Sequence, residues 1–226
     1  MTQDHWTAVD AYLTDTLVGP DPALDTALRA SATAGLPSIN VAPNQGKLLQ
    51  LLALVHGARS ILEIGTLGGY STIWLARALP EDGTLVTLEV DPRHAEVARG
   101  NIAQAGLADR VDLIQGPALE TLPRLSERGH GPFDMVFVDA DKPSNPEYFR
   151  WALRLSRPGT LIVVDNTVRG GAVADAASTD ESVRGVRRMH DLIAAEPRVT
   201  ATAVQTVGSK GHDGFTLALV TAGPAE

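Results

Sequence analysis

The sequence predicts an α/β protein built on a doubly wound, mostly parallel sheet of seven strands, closed by antiparallel strands at its C-terminal end and preceded by extra N-terminal helices. Three observations predict it. From Ser60 onward, short apolar runs alternate with segments of helical periodicity, the pattern of parallel strands joined by right-handed crossovers. The first such run leads through the glycine-rich stretch Gly65 to Gly69 into a helix, which is where an open α/β sheet holds a nucleotide-like ligand. The tail then breaks the alternation: Val199 to Val207 and Phe215 to Val220 read as an antiparallel pair joined by a polar turn, Gly208 to Gly214.

Taken in order, Thr2 to Leu17 places Trp6, Val9, Leu13 and Leu17 at three- to four-residue steps and reads as an amphipathic helix. Pro20 and Pro22 end it, and Pro22 suits the first turn of a second helix that runs through Leu24 and Leu28 to Gly35. A third, leucine-rich helix spans Pro43 to His56 and stops at Gly57; the segment Asn40 to Gly46 at its start is expected to lie over the cofactor. The core alternation is strand Ser60–Ile64, helix Ser71–Leu79, strand Thr84–Glu89, helix Arg93–Ala105, strand Val111–Gln115 and helix Ala118–Arg128. It continues with strand Phe133–Asp139, helix Asn145–Leu155, strand Thr160–Asp165 and a helix over Glu181–Ala195. The small-residue loop Gly170 to Ser178 reads as a lid or a dimer contact. One domain is expected over 1–226, with N-terminal helices in 1–57 and the cofactor-binding and catalytic core in 58–226.

Composition narrows the function. With 44% hydrophobic residues in 226, the chain can bury one substantial core. It has no cysteine, which excludes disulfides, thiolate metal sites and cysteine nucleophiles. No apolar run reaches membrane-span length and the N-terminus lacks a leader pattern, so a cytoplasmic protein without a membrane partner is expected. A net charge of −8 repels polyanions and favours a small-molecule substrate over nucleic acid.

The spacing Glu63-x-Gly65-x-x-x-Gly69 departs from the dinucleotide fingerprint: a second early glycine is missing and Glu63 puts a carboxylate beside the turn. Pyrophosphate would be repelled there, whereas a cationic ligand fits. On these residues the chain resembles the class I S-adenosylmethionine (SAM) dependent methyltransferases. Glu89, at the end of the second strand, suits the ribose hydroxyls, the alternative being a helix cap that Asp91 already provides. Gln115 to Ala118 forms a glycine turn suited to an adenine ring, or an ordinary strand-to-helix turn. Asp139 and the pair Asp165-Asn166 close two further strands; three oxygen donors without His or Cys suit a hard cation such as magnesium, though isolated acids at strand ends are common.

Together, Phe137 to Lys142 and Val164 to Thr167 resemble the paired metal motifs of the cation-dependent O-methyltransferases, the catechol and caffeoyl-CoA enzymes and their small bacterial relatives. The likeness runs from about Ser38 through the last strand. It implies a Rossmann-like methyltransferase fold in which Asp139, Asp165 and Asn166 bind magnesium, with calcium or manganese as other possibilities. It also implies that Val41, Glu63, Gly65, Thr66, Ser71, Glu89, Ala118 and Asp139 contact SAM, with Gly69 part of the same turn. Lys142 stands at the position of the catalytic lysine, beside Asp139; the alternative is a solvated lysine paired with Asp141. The implied substrate is a catechol-like or other vicinal dihydroxy small molecule, and the implied assembly a homodimer through the N-terminal helices and hairpin turn. Two other readings stand beside this one: a tRNA hydroxyl as acceptor, resting on the basic face Arg184, Arg187 and Arg188, and a module that binds SAM without transferring its methyl group. A nicotinamide dehydrogenase trails them. His56 ends an apolar helix, His94, His130 and His190 read as exposed in helix or loop contexts, none suggests a triad, and Lys210 and His212 are expected in a solvated turn.

Overall fold

The apolar runs become seven strands in a computed structural model that describes residues 2–223. They are β1 (Ser60–Ile64), β2 (Thr84–Glu89), β3 (Val111–Gln115), β4 (Phe133–Val138), β5 (Ser156–Asp165), β6 (Val199–Gly208) and β7 (Gly211–Val220), joined in one sheet of order β3-β2-β1-β4-β5-β7-β6. The first five run parallel, and β7 is antiparallel to both β5 and β6. The helices are α1 (Gln3–Leu13), α2 (Pro22–Thr33), α3 (Pro43–His56), α4 (Tyr70–Ala76), α5 (Pro92–Gln104), α6 (Ala118–Glu127), α7 (Asn145–Arg154) and α8 (Glu181–Ala195). Among the described residues no helix is long and apolar enough to cross a membrane.

Helix boundaries follow local chemistry. Asp21, Asp91 and Asp180 each accept two backbone amides at the start of α2, α5 and α8, and Pro22 and Pro92 take the first helical position, where a missing N–H costs nothing. Strand side chains alternate between two cores. Ile61, Met135, Phe137 and Val163 pack towards α3, α4 and α5, while Leu62, Ile64, Val136, Val138, Ile162 and Val164 pack with residues of α6, α7 and α8. Glu63 shares the side of Ile61, so alternation drives a carboxyl into an apolar layer.

Several expected boundaries shift. α1 stops at Leu13 and passes into a π-helical turn over Thr14–Val18, and α4 is shorter than the Ser71–Leu79 expected. β4 ends one residue before Asp139, and β5 begins at Ser156, with a register shift between Phe133 and Met135. The polar stretch Gly208 to Gly214 is not a long turn. β6 and β7 pair as far as Gly208 and Gly211, leaving a tight Ser209–Lys210 turn that Gly211 closes with φ of 94°.

Candidate active site

The strand order reverses between β1 and β4, and a cavity of about 540 Å³ opens beyond their carboxyl ends. Gly65 makes that junction possible. Its φ is 101°, and a Cβ there would lie 2.6 Å from the backbone oxygen of Asp139. Val41, Gly65, Thr66, Ser71, Glu89, Ala118, Asp139, Lys142 and Asn166 all line the cavity. Glu89 is 6% exposed. Its Oε2 accepts the amides of Leu67 at 2.7 Å and Thr66 at 3.3 Å, and its Oε1 that of Asp91 at 2.9 Å, so it pins the glycine turn to the end of β2. Asp91 is the cap of α5, leaving Glu89 free of that task.

Two residues expected at the ligand stand elsewhere. Gly69 is not in the cavity wall; it starts α4 with φ of 81° and faces Ala98 and Ile102 of α5. Glu63 does not face the cavity either. It is fully buried, and it accepts hydrogen bonds from the hydroxyls of Ser71, Thr72 and Thr87. Burial pushes its carboxyl up to about 7, against the pull of those three donors, so it meets the cavity only through Ser71.

The strand register sets the second half of the site. Val138 pairs with Val164, which brings Asp139 and Asp165, one step beyond, to neighbouring strand ends. The Lys142 Nζ donates to Asp139 Oδ1 at 2.8 Å rather than pairing with Asp141, whose carboxylate accepts the Tyr148 hydroxyl and the Ser144 amide. Asp165 is 3% exposed; it accepts Gln45 Nε2 and its neighbour Asn166's amide, both at 2.7 Å. Burial and then the charge of Asp139 push its carboxyl up to about 7, and Lys142 acts in the opposite sense. One ammonium thus faces two carboxyl groups, a deficit of positive charge that a divalent cation would balance. Two carboxylates and an amide oxygen are hard donors, the set such an ion prefers. Among the described residues no three His, Cys, Asp or Glu side chains converge, so Asn166 is needed to complete a donor set.

Beyond Asp165 and Asn166 lies a second chamber of about 340 Å³, between α1, the start of α3 and the β6–β7 turn. Asn166 lines both spaces. Among the described residues, three non-glycine positions have left-handed backbone: Leu67, Asn166 and Arg169, with φ of 51°, 56° and 57°. All three line the larger cavity, where strained backbone tends to gather at ligand sites.

A family model described as O-methyltransferase matches residues 17–220. The chain belongs to the O-methyltransferase family. A catechol O-methyltransferase from Niastella koreensis is 54% identical over 97% of this chain and 100% of its own length. The O-methyltransferase of Bacillus cereus solved with SAH superposes with a TM-score of 0.96 at 56% identity, covering 97% of this chain and 100% of that one. TomG of Streptomyces achromogenes, involved in tomaymycin synthesis and solved with SAM, gives 0.95 at 56% identity over 98% and 100%. As an O-methyltransferase of the SAM-dependent class, the chain carries its cavity at the strand-order reversal, where open α/β sheets hold their ligands.

Within this O-methyltransferase, sequence reasoning missed four cavity neighbours. His94, read as exposed, is half-buried, lines the cavity and stands 3.6 Å from Glu89. Tyr148 braces Asp141, and Gln45, from the segment expected to lie over the cofactor, instead reaches Asp165. Arg169 also lines the cavity, and its place three residues beyond Asn166 was a positional signal. His190, also read as exposed, packs against Thr216 of β7. The basic face of α8 is divided: Arg184 pairs with Glu181, and Arg187 donates to the Val173 carbonyl, which also pins the Arg169–Ala174 turn to the helix.

Proposed function

We propose that this enzyme methylates one hydroxyl of a catechol-like or other vicinal dihydroxy small molecule, using SAM and a divalent cation of the magnesium type. The observation that carries this reading is the adjacency of Asp139 and Asp165 at neighbouring strand ends, with Lys142 against Asp139; Asp139 and Lys142 line the larger cavity and Asp165 the smaller chamber. Asp139, Asp165 and Asn166 are assigned to the cation; Val41, Gly65, Thr66, Ser71, Glu89 and Ala118 to SAM, with Glu63 behind Ser71. SAM supplies a methyl group on a sulfonium, and the cation supplies charge that lowers the pKa of an acceptor hydroxyl.

The chain's own residues do the rest. Glu89 lines the cavity with both oxygens accepting backbone amides, and we assign its remaining acceptor capacity to the ribose hydroxyls of the donor. Asn166 and the smaller chamber orient the acceptor, a proximity contribution of several orders of magnitude. Lys142, 8% exposed, brings an amine to the junction. We assign to its neutral form, reached by loss of the ammonium proton to solvent, the acceptor's proton. Nζ takes it up as the hydroxyl oxygen bonds to the methyl carbon and the carbon–sulfonium bond breaks to leave S-adenosylhomocysteine. Asp139 holds that amine in place.

Catechol and labelled SAM test the assignment. Asp165→Ala is expected to abolish methyl transfer while leaving S-adenosylhomocysteine binding measurable. Lys142→Ala is expected to lower kcat by about 100-fold or more with a smaller effect on donor affinity. Undiminished turnover in Asp165→Ala would overturn the cation site, and undiminished kcat in Lys142→Ala would overturn the proton role.

A further inference from the structure

The two carboxyl groups assigned to the cation have hydrogen-bond partners of different charge. Asp139 is met by the Lys142 ammonium. Asp165 accepts, among the described residues, only from neutral donors: Gln45 Nε2 on Oδ2 and the Asn166 amide on Oδ1, both at 2.7 Å. The Asn166 amide belongs to the same turn as Asp165, whereas Gln45 arrives from the first turn of α3, 120 residues earlier in the chain. Its position is fixed by a series of contacts. Asp10 of α1 accepts the Asn44 side-chain amide at 2.9 Å and the Ser209 backbone amide at 2.7 Å, which ties α1 and the β6–β7 turn to the start of α3. Asn44 Oδ1 in turn accepts the backbone amide of Gln45 at 2.9 Å. Gln45 and Asp165 then stand together in the wall of the smaller chamber. A carboxylate oxygen has capacity for more than one partner, so both oxygens of Asp165 remain able to bind a cation. A neutral amide holds that carboxylate without cancelling its charge. An ammonium in the same place would fill the deficit of positive charge that a divalent ion balances.

We propose that Gln45 is a positioning residue for the divalent cation: its amide holds the Asp165 carboxylate in one orientation, and its neutrality leaves the charge of that carboxylate to the ion. The proposal rests on the cation reading above. It gives the clasp of Asp10 on Asn44 a purpose, because α1 and the β6–β7 turn thereby set the placement of the amide that steadies Asp165. Loss of such an outer partner lowers metal affinity by roughly 10- to 100-fold.

Titration with manganese, followed by the electron paramagnetic resonance of the free ion in protein saturated with S-adenosylhomocysteine, tests it. Wild type is expected to bind manganese at a site that Asp165→Ala removes. Gln45→Leu, similar in size and without the amide, is expected to weaken that binding by about 10- to 100-fold while S-adenosylhomocysteine affinity and the thermal midpoint hold. Gln45→Lys separates charge from structural support. Its ammonium can still donate to Asp165, so a residue that merely propped the carboxylate would be replaced by it, whereas the proposal expects manganese binding to be lost. Wild-type manganese affinity in either Gln45→Leu or Gln45→Lys would overturn the proposal and leave the cation reading standing. Wild type without Asp165-dependent manganese binding would overturn both.

Discussion

Glu63 sits fully buried in an apolar layer, held by three hydroxyls, with a carboxyl raised from 4.5 to about 7. A folded-state value above the unfolded one means the native state binds the extra proton. Its stabilising effect is therefore complete below pH 4.5 and is lost as pH rises through 7, by roughly 3 kcal/mol over that window. Glu63→Gln removes the titration. Urea denaturation from pH 4.5 to 8 should show wild type losing stability relative to the variant across that range; a gap independent of pH would contradict the account. The residue was visible in the sequence as an acid beside a glycine turn, but its direction was not. Alternation along β1 puts it on the α4 side, and the hydroxyls of Ser71, Thr72 and Thr87 that receive it come from two other elements. Asp139, Asp165 and Asn166 were legible because strand ends in a parallel sheet all point one way. Gln45 and Tyr148 were not, because each reaches the site from a helix and neither has a motif.

The α3–α4 packing decides how the first glycine turn is supported. Gly46 lies against the Trp74 ring, where a Cβ would meet ring atoms at 2.3 and 2.4 Å. Gly46→Ala is expected to destabilise by about 1–3 kcal/mol, read as a lower thermal midpoint, since a buried indole must move. An unchanged midpoint would show that α3 can slide freely over α4. Helices with strong apolar periodicity were readable to within a few residues, as were the proline and aspartate starts of α2 and α5. The β6–β7 hairpin misled for a physical reason: Lys210, His212 and Asp213 look like loop, yet backbone pairing continues beneath them and Asp213 turns inward to clamp three amides.

At the scale of the molecule, the sheet order and its register bring the site together, and both follow from alternation of strand and helix plus the reversal at Gly65. That much could be read without coordinates. The assembly is less legible, because surface apolar residues do not name their partner. Leu51, Leu54 and Val55 of α3 are exposed, Val55 by 88%, and β6 presents an uncharged outer edge. Light scattering is expected to give a dimer of the 23.8 kDa chain, weakened by Val55→Asp; a monomer at micromolar concentration would reject the expectation. The central claim is that carboxylates from two neighbouring strand ends share one divalent cation beside the methyl donor. It is tested most directly by following methyl transfer from labelled SAM to catechol before chelation, after exhaustive chelation and after magnesium is restored. The account predicts activity, its loss and its return; full activity in the chelated enzyme would contradict it.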